Sequence, residues 1–318
     1  MRAFSYSQVD QWREFHAFRN GPPPSGDDHL YAWIHALHVS GPFEAKIGAG
    51  FDRVQRQHTG SNEAWLGISG PAHLGKTRAV TNVLMTRALA EPDRWRTRSK
   101  GGGLHTPYLY VEAASNQEAR GLLASIARGC GLPDQGSEKD LHGMLTAVLP
   151  QLGTRLIVVD DAQMFRRRSE NASRVTDGLR VALHLPVPFV FVGIDLHSSA
   201  LLYRSTRNND TARQLERRHI PLVLRALDRS ETRPAMRLIA EYKKKVIQIA
   251  GLDATAAFSD LAALAHVVGA CEGRPGSLLS ALKRATTEAL ATNAGTLTAD
   301  LLVAEVEHPD LATAAEGA

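Results

Sequence analysis

Apolar residues along this chain repeat with two different periods, and the two alternate. Short apolar runs at Ala64 to Ser69, Pro107 to Ala113, Leu156-Ile157-Val158-Val159 and Phe189 to Gly193 are rich in β-branched and aromatic side chains. Such runs read as strands buried on both faces. Between them the period is helical, over Arg78 to Leu89, Asn116 to Cys130, Glu138 to Leu149, and, after Ala162 to Arg168 with its Arg166-Arg167-Arg168 run, on to about Leu185. Alternation of this kind predicts a parallel sheet covered by helices, a three-layer α/β core. Asn208 to Leu222 reads as a helix with basic residues at its end, running into a further short strand. From Arg229 the pattern turns helical throughout, with segments at Glu231 to Ala250, Phe258 to Cys271, Ser277 to Asn293 and Ala299 to Glu305. That part is expected to form a small all-α lid domain.

Ahead of the first strand, Val9, Trp12, Phe15 and Phe18 fall at helical spacing, and Pro22, Pro23 and Pro24 then stop the helix. A second helix is expected over Asp28 to His38, with Leu30, Trp33, Ile34 and Leu37 on one face, and a third near Phe43 to Gln57. The expected division is therefore a helical arm and linker at 1–60, the α/β core at 61–228, and the lid at 229–318. The first helix suits either a packing arm or a docking segment for a partner protein.

Chemistry enters at the end of the first strand. Gly70-Pro71-Ala72-His73-Leu74-Gly75-Lys76-Thr77 fits G-x-x-x-x-G-K-[ST] without a mismatch. Gly70 and Gly75 let successive backbone N–H groups turn inward onto a polyphosphate. Lys76 supplies an ammonium to the outer phosphates, the Thr77 hydroxyl ligates Mg²⁺, and the helix that follows points its positive end at the same anion. About 83 residues after Lys76, the strand at 156–159 ends in Asp160-Asp161. Open α/β sheets bind ligands at the carboxyl ends of their strands. Asp160 is accordingly the expected partner of Mg²⁺ through water, and Asp161 the candidate to polarise an attacking water.

Composition narrows the setting. Of 318 residues, 43% are hydrophobic and 22% charged, as in ordinary globular domains, and no apolar run is long enough to span a bilayer. The first residues lack the apolar core of a signal peptide, so a cytoplasmic location is expected. Cys130 and Cys271 stand far apart and in no metal-ligand spacing, and read as small buried residues. A net charge of +4 permits nucleic-acid binding without requiring it. Arg94, Arg96, Arg98 and Lys100, followed by three glycines, form either a solvated connection or a loop that contacts nucleic-acid phosphates.

Taken in order, these features resemble an AAA+ ATPase, with a P-loop NTPase core and a helical lid. Within that group the chain is most similar to the TniB/TnsC transposition ATPases, over roughly residues 40–290. The resemblance rests on Gly70–Thr77, on Leu156-Ile157-Val158-Val159-Asp160-Asp161-Ala162-Gln163, on Pro186 to Gly193, and on Gln214-Leu215-Glu216-Arg217-Arg218. It implies an ATP- and Mg²⁺-dependent protein that forms a ring or filament on double-stranded DNA, activates a partner transposase and works with a target-selector protein. Arg218 falls at the position of an arginine finger, with Arg217 the alternative one residue away, and a solvated helix end the plain reading of both. Arg274, in Gly273-Arg274-Pro275-Gly276, is placed like a nucleotide sensor of the lid or else like a capping turn.

Two positions depart from the family pattern. Asp161 stands where Glu is usual, which implies slow hydrolysis, and Ile194 stands where a polar sensor is usual, with Asp195 one place later. A nucleotide-gated signalling or defence ATPase, and a replication-initiator or helicase-loader protein, are the alternative readings.

Overall fold

The computed structural model describes residues 9–58, 63–91, 105–114, 119–164, 182–196, 217–227, 232–292 and 295–307. The Arg94–Gly103 loop, Arg166–Arg168, most of the helix expected from there to about Leu185, and 208–216 lie outside the described residues. The chain divides into two compact units. The first comprises 1–13, 43–72 and 76–224, and the second 14–42, 73–75 and 225–318.

Among its described residues the first unit is built on five short strands: β1 (Trp65–Ser69), β2 (Tyr108–Glu112), β3 (Leu156–Asp160), β4 (Phe189–Gly193) and β5 (His219–Val223). They pair in the order β2-β3-β4-β1-β5, and every pairing is parallel. β1, β3 and β4 are buried along their whole length, as their unbroken apolar runs require. Register sets Ser69 against Gly193 and Glu112 against Asp160. One edge of the sheet therefore gathers the ends of β1, β3 and β4. Within the core the Trp65 indole stacks on the His219 ring at 4.2 Å and meets Phe191 edge-on at 5.5 Å. Gly67 leaves room for that stack, because a Cβ there would sit 2.3 Å from His219 Nε2.

Among the described residues of this unit lie the helices α3 (Glu44–Gln57), α4 (Lys76–Ala90), α5 (Ala119–Gly129) and α6 (Glu138–Val148). Ser137 and Asp140 close a capping box at the start of α6, satisfying backbone donors that the first helical turn leaves open. On the face of α5, Leu122, Leu123 and Ile126 join Leu109, Ile157 and Phe189 in one apolar cluster.

After α1 (Val9–Asn20), the second unit joins α2 (Asp27–Ala36) to α7 (Thr232–Val246), α8 (Leu261–Ala270), α9 (Pro275–Ala291) and α10 (Ala299–Glu307). Trp33, Ile34 and Leu37 are fully buried among Leu238, Ile239 and Tyr242 of α7 and Leu278 and Leu282 of α9. The helix expected from Phe258 begins at Leu261, because Asp260 caps it by accepting from the N–H groups of Ala262 and Ala263. Deep in this unit Lys283 of α9 is nearly inaccessible, and its Nζ donates to His35 O and Leu37 O, both at 2.8 Å. A cation is thus set against the carboxyl end of α2, where the helix carbonyls concentrate negative potential. Residues 1–60 consequently do not pack as one piece: 14–42 group with the C-terminal helices, and α3 lies with the sheet. Among the described residues no helix is long and apolar enough to cross a membrane.

The Lys283 bridge makes a stability prediction. Lys283→Met keeps the chain length and the apolar stem but removes both donations. It is expected to cost about 2–3 kcal/mol, read as a lower denaturant midpoint with an unchanged slope.

Candidate nucleotide-binding site

β1 ends at buried Ser69, whose hydroxyl accepts from the Leu196 N–H at 3.3 Å, tying the loop after β4 to the root of the phosphate loop. The chain then turns through Gly70–Thr77 with left-handed backbone at His73 (φ 60°) and Gly75 (φ 82°). Glycine takes that conformation freely, whereas His73 must be held in it. Pro71 and His73 are exposed, Ala72 is partly so, and Leu74 is buried as the apolar anchor of the loop. α4 begins at Lys76, and the first N–H groups of an α-helix have no acceptor within the helix itself.

Lys76 is buried, and its Nζ donates to Gly70 O at 2.9 Å and Pro71 O at 2.6 Å. Burial lowers the pKa of the ammonium, while Asp160, Asp161 and Asp195 act in the opposite direction. The cation is thus kept inside the loop, facing three carboxylates, in position to turn toward an anion.

Asp160 is the most enclosed of the three, at 2% exposure. Tyr110 Oη donates to Asp160 Oδ2 at 2.7 Å, and the Asp161 N–H donates to Asp160 Oδ1 at 2.8 Å. The Thr77 hydroxyl also hydrogen-bonds this carboxylate. Burial pushes the Asp160 carboxyl above the usual carboxylate range, the three hydrogen bonds oppose the rise, and the charge of Asp161 adds to it. The Tyr110 phenol is driven far upward, by burial first and then by the adjacent Asp160 charge. Tyr110 reaches Asp160 because Glu112 is the register partner of Asp160, and residues two apart share a sheet face. Thr77 and Asp160 offer hard oxygen donors already in contact with each other. That donor set fits Mg²⁺, which takes few protein oxygens and keeps several waters.

Asp161 follows β3 with φ 54° and an exposed side chain. Left-handed backbone is tolerated by Asp more readily than by longer side chains, which gives the short acid at this position a conformational rationale. Its Oδ1 accepts from Gln163 Nε2 at 3.0 Å, and Gln163 Oε1 accepts from the Ile194 N–H at 3.0 Å. Asp195 is likewise left-handed, at φ 46°.

Lys76, Thr77, Asp160 and Asp161 are therefore brought together at the carboxyl edge of the sheet. Arg218 is placed elsewhere. Its carbonyl accepts from the Trp65 N–H at 3.1 Å, at the opposite end of β1. One five-residue strand separates it from the phosphate loop, about 13–16 Å at 3.3 Å per residue. Its guanidinium pairs with Glu63, and the other Glu63 oxygen bonds His184 Nδ1. Arg217 is exposed. Arg274 belongs to the second unit, where it precedes Pro275 at the head of α9 and pairs with Glu272. Gly273 in that turn is left-handed at φ 66°, and a Cβ on it would come within 2.1 Å of Leu227 O.

Sequence reasoning passed over Tyr110, Glu63 and His184, whose roles depend on strand register and on contacts between distant segments. Gln163 lay inside a motif already singled out, but its link to Ile194 needs the neighbouring strand.

Two substitutions test the assignment. Lys76→Ala should weaken binding of a fluorescent adenine nucleotide about 100-fold or more, with the melting temperature retained. Asp161→Asn should leave that affinity intact and lower nucleotide turnover about tenfold or more.

Residues 59–197 match the family model described as an AAA domain. No curated protein matches the chain. Among solved structures, the chain is similar to that of Drosophila ORC bound to DNA, with TM-score 0.53, 16% identity, and 91% of this chain and 71% of that one covered. It is similar as well to the Aeropyrum pernix ORC1 protein in complex with DNA, with TM-score 0.58, 16% identity, and coverages of 89% and 69%. A third likeness is to domain III of the Thermotoga maritima replication initiation protein DnaA, with TM-score 0.51, 14% identity, and coverages of 84% and 92%. At these identities the likeness concerns the fold. The five-stranded parallel sheet with its phosphate loop has the P-loop AAA+ fold, and residues 59–197 match the AAA domain model within it.

Proposed function

We propose that this chain is a Mg²⁺-ATP-dependent ATPase that assembles as a ring or filament on double-stranded DNA and presents target DNA to a transposase. The observation that carries the reading is the separation of Arg217–Arg218 from the chain's own phosphate loop by the length of β1. A cation drawn from this segment reaches a γ-phosphate only on a neighbouring copy. ATP then sits at a subunit boundary and favours the assembled state by binding it better than the free chain. Arg218 takes that role by exchanging Glu63 for the phosphate, and exposed Arg217 takes it without that exchange.

In this reading Lys76 holds the outer phosphates, Thr77 and Asp160 hold Mg²⁺, and Asp161 orients the attacking water. Arg274 is the candidate contribution of the lid, in place of its pairing with Glu272. Bound Mg²⁺ supplies neutralisation of the phosphate charge.

DNA binding draws support from the net charge and from α7. Arg233, Arg237 and Lys244 are all exposed on that helix, at spacings of four and seven residues that align them on one face. Contacts of this type go to phosphates, so binding would be largely blind to sequence. Transposition itself rests on the sequence resemblance. A replication-initiator role is the second reading, favoured by the likeness to ORC1 and to DnaA domain III.

Gel-shift titrations test the proposal. Duplex binding should emerge with ATP or a slowly hydrolysed analogue and fall steeply with salt. Removing Arg237 and Lys244 together should reduce the slope of log affinity against log salt by roughly 1.8. Absence of duplex binding under every nucleotide condition would rule the platform out, and strong preference for one duplex sequence would favour the initiator. Mixing Arg217→Ala or Arg218→Ala chains with wild type should depress ATPase activity more than dilution does. Unchanged specific activity in both mixtures removes the finger from this segment.

A further inference from the structure

We infer that Gln163 is the positioning residue for hydrolysis: its side-chain amide holds the Asp161 carboxylate and fastens it to the end of β4. The inference rests on the proposed ATPase reading. Asp161 lies just past β3 in left-handed backbone, with its side chain exposed, so the strand itself does not fix where the carboxylate points. A short 3₁₀ turn at Ala162–Met164, closed by the Met164 N–H donating to Asp161 O at 2.8 Å, carries Gln163 back over it.

The orientation of the amide follows from its partners. The Ile194 N–H is a donor, so it selects the amide oxygen, which accepts from it at 3.0 Å. The amide NH₂ is thereby turned to Asp161 Oδ1, also at 3.0 Å. Gly193 makes the arrangement sterically possible, since a Cβ there would lie 2.6 Å from Gln163 Oε1. Position 194 itself offers an apolar side chain. The polar link between the ends of β3 and β4 is made instead by Gln163, using the backbone of Ile194 as its anchor.

A donor locked at both ends restricts the carboxylate to few rotamers, and misplacing a catalytic group by an ångström is enough to slow a reaction strongly. Gln163→Glu separates the two halves of the role. It keeps an acceptor for the Ile194 N–H and loses the donor to Asp161, placing a second negative charge beside it. Gln163→Ala loses both.

The test uses the full chain and measures kcat, KM for ATP, and dissociation constants for Mg²⁺-ADP with and without aluminium fluoride, which mimics the transferring phosphoryl group. Both variants are expected to lower kcat about tenfold and to weaken the aluminium fluoride complex by a similar factor. KM and the affinity for ADP alone should stay within about twofold. Wild-type kcat and aluminium fluoride affinity in Gln163→Glu would overturn the inference. Equal losses of ADP affinity and melting temperature in both variants would overturn it too, by showing a merely structural role. A wild-type chain that binds nucleotide without turning it over removes the ATPase reading and this inference together, whereas turnover that is insensitive to Gln163 removes the inference alone.

Discussion

A carboxylate that is almost wholly shut away from water sets the terms for the nucleotide edge of this molecule. Asp160 ends an apolar strand at 2% exposure, and a charge so placed is tolerated only with donors around it. The protein supplies them from three directions: the Tyr110 phenol on the neighbouring strand, the backbone N–H of Asp161, and the Thr77 hydroxyl at the start of α4. Each donor comes from a different part of the edge, so satisfying one group draws β2, β3 and α4 into register. The Lys76 ammonium completes the balance of charge, held by carbonyls of the loop while Asp160, Asp161 and Asp195 face it.

β1 gives the first unit its polarity. Its carboxyl end runs into the phosphate loop, and its amino end is paired to Arg218, beside the Glu63–His184 contact. Two chemically distinct edges are thereby separated by a single five-residue strand. The phosphate loop and its buried Lys76 ammonium line one of them, and the Arg218 guanidinium is held by its ion pair with Glu63 at the other.

Much of this was legible in the residues because it is local. Unbroken apolar runs placed all four leading strands, and the parallel sheet followed from their alternation with helices. The phosphate loop could be read from glycine and lysine spacing, and Asp160 from its position at the end of β3. What stayed hidden depends on register or on long-range pairing. Tyr110 looks like one more aromatic in a strand until β2 is set beside β3. The Arg217–Arg218 pair reads as a helix end until the Trp65 N–H shows which edge it occupies. Helix α8 was expected three residues early because its apolar period begins before the Asp260 cap that starts it.

The bridge from Lys283 to the end of α2 spans 246 residues of sequence, and this bears on how the chain is made. The second unit is discontinuous: α2 emerges first, while α7 and α9, which bury Trp33 and Ile34, are synthesised after the entire sheet. At ribosomal speeds of about 5–20 residues per second, the apolar face of α2 waits roughly 12–50 s for its partners. Any fragment that ends near residue 228 and retains 14–42 keeps that face and never receives its cover.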